Sequence, residues 1–409
     1  MSHRNFVKVF VAGVLSGITC VTAILVIVMM SGKLDVGALI GNNSKSGNNS
    51  IITKDISDKA DIISSYIDQY YIDKIDHTKM SDSIYKGMVN GLGDDYAAYY
   101  TSDEYKDITE KSNGIYCGIG AYVTQNATTG AVSIVKPIKN GPAQKAGIKA
   151  NDIICGVDGK DIKNKDLTEV LSMVKGKKGT AVNLKIYRKG EKDYLNIKVI
   201  RDEIEDDTVA YKMLDDKVGY VQVTGFEAVT AKQFKSAIDK LEKRGEKGLI
   251  IDLRDNGGGL LDIAVEMLDR LLPKELVVYT KDKQGQTEEY YAKDKKEVTV
   301  PIAILVNENS ASASEVFSGA LQDYGVAKLV GTKTFGKGIV QSIFNLNDGT
   351  ALKMTVAKYY TPKGRNIHGT GLTPDIRVKL NDKTTVQSKS KVIVDNQLQK
   401  AIDAVRTQL

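Results

Sequence analysis

From Val9 to Met30 the chain carries no charged residue and is built mainly of Val, Ile, Leu, Phe and Met. A run of that length spans the roughly 30 Å hydrocarbon core of a bilayer as a helix, because lipid offers backbone polar groups no other partner. Arg4 and Lys8 precede it, and basic flanks stay on the cytoplasmic side. Residues 1–32 are therefore expected to be a short cytoplasmic stub and a transmembrane anchor, with residues 9–30 in the membrane. The rest of the chain is expected on the extracytoplasmic side of a single-pass cell-membrane protein. A cleaved signal peptide is the competing reading. It has a shorter apolar region, about 7–15 residues, and a small-residue cleavage site, and Ser31-Gly32-Lys33-Leu34 shows no such site. Either way the working part is exported.

The 409 residues are enough for two or three domains, and 42% hydrophobic with 26% charged residues is ordinary globular composition. The net charge of +6 comes from 57 basic and 51 acidic residues, with no basic block and no basic–aromatic interleaving. That argues against a nucleic-acid partner. Cys117 and Cys155 lie in the exported part, where a disulfide is chemically permitted; buried free thiols are the plainer reading. Cys20 lies within the apolar run.

Asn42–Asn49 is Asn-Asn-Ser-Lys-Ser-Gly-Asn-Asn, so residues 33–52 read as a flexible linker. Two amphipathic helices follow. Ile56, Ile62, Ile63, Tyr66 and Ile67 make one apolar face, and Met80, Ile84, Tyr85, Met88 and Leu92 the other. A small helical domain over 53–112 is the expectation. Over 113–203 the texture changes to short β runs (131–136, 153–157, 181–187, 194–200) and one helix near 166–174. Residues 204–385 have α/β character. Leu249–Leu253 reads as a buried strand, Arg254-Asp255-Asn256-Gly257-Gly258-Gly259 as a sharp loop, and 260–272 as a helix. Ile302–Val306 repeats the strand, followed by Asn309-Ser310-Ala311-Ser312-Ala313-Ser314-Glu315 and a second helix. A C-terminal helix is expected within 386–409.

Ser312 needs a base before it can act as a nucleophile, and the chain has only His3, His77 and His368. Lys337, in Phe335-Gly336-Lys337-Gly338, is held between glycines that permit close approach, and burial lowers a lysine's pKa. Ser312 with Glu315 also makes a capping box, which is a purely structural reading. The two readings are compatible, since a helix start carries unpaired N–H groups that can stabilise an oxyanion. Ala313 N–H is the natural donor, and the glycines at 257–259 can bring a second. Gln341, four residues beyond Lys337, would share its side of a strand and could aim the amine.

Residues 331–338 fall one residue short of a phosphate-binding P-loop. Gly338 stands where Ser or Thr would bind Mg²⁺, and a strand rather than a helix follows. His368, with Asp375 behind it, is a further candidate base.

Gly118-Ile119-Gly120-Ala121, Asn140-Gly141-Pro142-Ala143, Asn151-Asp152-Ile153-Ile154 and Val157-Asp158-Gly159 together resemble a PDZ domain. In that resemblance Gly118, Ile119, Gly120 and Ala121 form the loop whose N–H groups take a peptide's terminal carboxylate. Over residues 55 to 405 the chain resembles the carboxy-terminal processing peptidases, or tail-specific proteases. The carrying stretches are Gly93-Asp94-Asp95-Tyr96, the PDZ run, 253–259, 310–315, 334–341 and Gly371-Leu372-Thr373-Pro374-Asp375. Asp95 departs from the family's usual proline, a difference expected to bear on the helical region and not on the chemistry.

The resemblance implies Ser312 as nucleophile, Lys337 as general base, Gln341 as its orienter, and Gly258 and Ala313 as oxyanion donors. It implies a multidomain α/β protein with a crotonase-like serine protease core and no metal or organic cofactor. It also implies protein substrates with apolar C-terminal tails, captured by the PDZ unit and cut near their ends through an acyl-enzyme. A homo-oligomer or a regulatory partner stays open. The rival readings are a membrane-tethered PDZ adaptor with a retired core and an extracytoplasmic nucleotide-binding protein.

Overall fold

The structure is a computed structural model that describes residues 51–293, 298–381, 385–387, 390–392 and 395–408. The expected anchor over 9–30, Cys20 and all but the end of the 33–52 linker lie outside the described residues. No described helix is long and apolar enough to cross a membrane.

Residues up to His77 and residues from Thr78 onward form two compact units. In the first, Lys54–Tyr70 is a helix capped by Thr53 and holds no buried residue. Ile56, Ile62, Ile63 and Tyr66 are all exposed. The helix His77–Asn90 buries only Val89, and Met80, Ile84, Tyr85 and Met88 are exposed. Both helices lie where the apolar periodicity put them. The expected helical domain over 53–112 also contains a short strand. Ala98–Tyr100 is a strand paired antiparallel with residues 351–353, far along the chain, and Tyr99 is buried there. Helical periodicity carries no signal for such a non-local pairing.

The β-rich region forms its own sheet and core. Ala121–Gln125, Val132–Pro137, Ile153–Val157, Ala181–Tyr187 and Leu195–Ile200 pair in that order, and Lys160–Asp161 pairs with Ile153–Val157. Period-2 alternation is plain in Ala181–Tyr187, where Val182, Leu184 and Ile186 are fully buried. The helix Leu167–Val174 covers this core, started by a capping box between Asp166 and Glu169. Cys117 and Cys155 are free and partly buried.

The larger core is a six-stranded sheet. Its order is Val209–Met213, Val218–Val223, Gly248–Asp252, Ile302–Val306, Ala327–Gly331 and Ile376–Arg377. The first pair is antiparallel and the rest are parallel. Its central strands are apolar throughout, as a sheet covered on both faces requires. Leu249, Ile251, Ile302 and Ile304 pack with the helices Thr230–Glu242, Leu261–Leu268 and Ala313–Asp323. Ile250, Ala303 and Leu305 face Ala401 and Val405 of the C-terminal helix Asn396–Arg406.

A second sheet lies alongside in sequence. Ala351–Tyr360 pairs with Ile339–Asn345 on one edge and with Ala98–Tyr100 and Leu276–Asp282 on the other. The parallel sheet thus sends Asp252, Val306 and Gly331 into three loops from neighbouring strand ends, where open α/β sheets place their sites.

Candidate active site

The serine run lies at the end of the strand Ile302–Val306 and opens the helix Ala313–Asp323. Its three hydroxyls have different fates. Ser310 Oγ donates to Leu253 O (2.7 Å) and Ser314 Oγ to Asn256 O (2.9 Å), and both serines are fully buried. They knit the run to the glycine loop after Asp252. Ser312 between them is only partly buried and lines a cavity of about 150 Å³ with Gln341, Tyr359 and Leu260. Its backbone sits at φ 57°, ψ −117°, a left-handed conformation that costs a non-glycine residue of order 1–3 kcal/mol. The surroundings must therefore hold it there.

Gly258 faces it. A Cβ on Gly258 would come within 2.8 Å of Ser312 Cβ and 3.0 Å of Ala313 N, so only glycine allows this approach. The Gly258 N–H donates to Asn256 Oδ1 (2.9 Å), and is committed inside the loop rather than offered to a substrate. Ala313 N–H is the first of its helix and has no intrahelical acceptor. Of the two expected oxyanion donors, Ala313 stands at the helix start beside Ser312, and Gly258 is adjacent with its donor engaged.

Glu315 joins the serine run to the lysine loop. It is fully buried, and its carboxylate accepts four hydrogen bonds. Oε2 takes Ser312 N–H (3.0 Å) and Lys337 N–H (2.8 Å). Oε1 takes Thr334 Oγ1–H (2.5 Å) and Gly336 N–H (2.8 Å). A buried carboxylate is tolerable only when its lone pairs are satisfied in this way. The capping-box signal read Glu315 as a helix-start residue and had no means to see the lysine loop on its other side.

The Lys337 side chain is half-buried. Its amine lies 4.6 Å from the centroid of the Tyr96 ring, and among the described residues no hydrogen bond joins it to Ser312. Burial lowers its pKa below the ordinary lysine value, the Lys353 charge lowers it further, and Asp94 opposes them. Tyr96 N–H donates to Asp94 Oδ1 (2.9 Å). The Gly93–Tyr96 segment thus lies beside Lys337, with the Tyr96 ring and the Asp94 charge next to its amine. Periodicity assigns these residues to a helix end, and only the fold brings them to the lysine.

Gln341 reaches the same cavity as Ser312 but not the amine of Lys337. Its Nε2 lies 3.5 Å from Thr355 Oγ1, and Thr355 in turn holds the Asp94 carboxyl below its ordinary pKa. A bulge at Val340/Gln341 shifts the strand register here, so simple alternation from Lys337 does not hold.

The competing motifs fall away on geometry. The near P-loop runs into the strand Ile339–Asn345, not a helix. His368 is exposed, and Asp375 Oδ2 accepts from Leu329 N–H and Gln322 Nε2 instead of standing behind the imidazole. A larger cavity of about 1250 Å³ adjoins the same three loops, but there Arg254 is held by Asp252 and Asp395.

Gly118, Ile119, Gly120 and Ala121 line a groove of about 430 Å³ with Leu171 and Val174 of the helix above it. Ile119 O accepts from Ala143 N–H (2.7 Å) and Gly120 O from Ile138 N–H (2.9 Å), which fixes the loop. Asp107, Glu110 and Lys111 of the helix Ser102–Asn113 also line it, and Lys175 Nζ pairs with Glu110 at 3.6 Å.

The sequence pattern of peptidase family S41 matches residues 217–378, and that of the PDZ domain matches residues 117–199. The carboxy-terminal processing protease CtpA of Bacillus subtilis (strain 168) is 38% identical over 84% of this chain and 74% of its own. A probable CtpA-like serine protease of Staphylococcus haemolyticus (strain JCSC1435) is 39% identical over 87% and 71%. Among solved structures, a photosystem II D1 C-terminal processing protease aligns with a TM-score of 0.46 at 28% identity, over 78% of this chain and 86% of that one.

Proposed function

The chain belongs to the carboxy-terminal processing serine proteases of peptidase family S41, and on that premise we propose that it works through a Ser312–Lys337 dyad. The observation that carries this is the fate of the serine run: Ser310 and Ser314 are buried and committed, and Ser312 alone opens on the cavity. Neutral Lys337 takes the Ser312 proton as the oxygen attacks the scissile carbonyl, and returns it to the leaving amine. Water then hydrolyses the acyl-enzyme with the same lysine as base. Ala313 N–H stabilises the oxyanion, joined by Gly258 N–H once that donor leaves Asn256. Gln341 acts on Lys337 through Thr355 and Asp94.

The groove beside Gly118–Ala121 takes an apolar C-terminal tail and presents the upstream chain to Ser312. Residues 9–30 anchor the enzyme in the cell membrane with its catalytic part outside the cytoplasm, a topology that a phosphatase fusion after residue 50 tests directly. For the chemistry, the full chain in mild detergent is incubated with an unstructured protein ending in apolar residues. The expected result is cleavage that Ser312→Ala and Lys337→Ala both abolish. Cleavage that survives Lys337→Ala sinks the dyad.

A further inference from the structure

The peptide groups of Ser312 and Lys337 are held at both ends by the same two side chains. Their N–H groups both reach Glu315 Oε2. Their carbonyls both accept from the hydroxyl of Tyr359, the bond to Ser312 O measuring 3.1 Å and the other going to Lys337 O. Tyr359 belongs to the strand Ala351–Tyr360, is almost fully buried, and lines the cavity beside Ser312. Its own N–H donates to Gly338 O, next to Lys337.

We propose that Tyr359 is a positioning residue for the reaction, its single hydroxyl setting the spacing between the serine and lysine backbones. This rests on the Ser312–Lys337 reading. Three physical points support it. Ser312 sits in a left-handed conformation that needs outside restraint. Ser312 O is already fixed by Glu315 N–H (2.8 Å) and Val316 N–H (3.0 Å), so the Tyr359 hydroxyl ties Lys337 O, which has no other hydrogen-bond partner among the described residues, to a carbonyl that is itself held. Burial, reinforced by Glu315, keeps the phenol protonated far above its ordinary range, so it stays a donor across the pH span in which Lys337 titrates. A displacement of about 1 Å in such a pair costs on the order of 10²-fold in rate.

The test is Tyr359→Phe in the full chain, assayed with parent, Ser312→Ala and Lys337→Ala on the same tail-bearing substrate. A fluorophosphonate that phosphonylates activated serines, with fluoride leaving, counts competent sites, so rates are read per site. The expected result is a kcat about 10- to 100-fold lower with KM unchanged. The acid limb of kcat should also move to higher pH as the loosened lysine regains water. A tyrosine that serves stability alone would lower the melting temperature and leave per-site kcat and pH profile as in the parent, and that result overturns the proposal. Should Tyr359→Phe not fold, the structure of the parent trapped by the fluorophosphonate decides. A hydroxyl bonded to both carbonyls supports the role, and one turned away from either overturns it. Failure of the underlying dyad looks different: the parent escapes the reagent, or Lys337→Ala keeps the parent's rate.

Discussion

Each edge of the parallel sheet buries one glutamate, and the two are treated in opposite ways. At the carboxyl ends of the strands, Glu315 is sealed from solvent and accepts four hydrogen bonds from the segments that carry Ser312 and Lys337. At the amino ends, Glu246 precedes the strand Gly248–Asp252 and is 8% exposed, and neither of its oxygens has a hydrogen-bond partner among the described residues. Burial, then the Glu242 charge, pushes Glu246 up to about 7, with Arg270 opposing. A buried carboxylate can thus be a structural anion or a reluctant acid, and the donors around it decide which. The edge rich in donors is also the edge where the backbone segments of Ser312 and Lys337 are tied together.

The sharpest break between the edges is in activity. Ser312→Ala should reduce cleavage to background, and Lys337→Ala should lower kcat by about 10³-fold or more. Glu246→Gln should leave kcat at the parent value. Steady-state cleavage of one tail-bearing protein by all three variants makes the comparison. A Glu246→Gln enzyme that loses activity would mean the two edges are coupled.

Glu315→Gln tests the donor-rich edge through stability. An amide offers one acceptor oxygen and turns an N–H toward groups that are themselves donors. At least two of the four hydrogen bonds are lost, at a cost of about 3 kcal/mol of folding free energy. Denaturant unfolding at pH 7 measures it. A loss under about 1 kcal/mol, the net value of one ordinary hydrogen bond, would show that the network is not mutually dependent.

Glu246 should report on pH with a fixed sign. Its folded pKa lies above its unfolded one, so the folded state binds more protons and stability falls as pH rises from about 4.5 through about 7. Between pH 5 and pH 8 the parent should lose about 2 kcal/mol from this group. In Glu246→Gln that decline should vanish. Unfolding curves at the two pH values decide it, and an unchanged slope in the variant would assign the pH dependence elsewhere.

How much of this could be read from residues alone follows the same physics. The strands Ile153–Val157 and Ala181–Tyr187 lie where local pattern put them, because each carries its own alternating or continuous apolar signal. The serine run, the glycine loop and Lys337 were legible as motifs, since short strained turns leave marks in composition. Tyr359, Tyr96 and Asp94 were not. They reach the site through the pairing of 98–100 with 351–353 and of 339–345 with 351–358, and such register has no local signature. The helix at His77–Asn90 was legible as a helix, while its exposed apolar face was not, because amphipathicity says that a face is apolar and not what covers it. Gln341 was placed on the right strand, but the bulge beside it removed the alternation that would aim it at Lys337.

The finest distinction is electrostatic, within the donor-rich edge itself. Lys337 is depressed by burial first and by Lys353 second, with Asp94 pulling the other way. The neutral amine is the active form, so activity falls as pH drops through the lysine's pKa. Lys353→Gln removes a like charge and makes protonation of Lys337 easier. Its pKa rises toward the ordinary 10.5, the acid limb of kcat/KM moves to higher pH, and the rate at neutral pH drops. Asp94→Asn removes an opposite charge and should move the limb to lower pH. The two profiles must therefore separate on either side of the parent's. If both variants shift the limb in the same direction, the lysine is responding to a change of shape at the Tyr96 ring and not to the field of its neighbours.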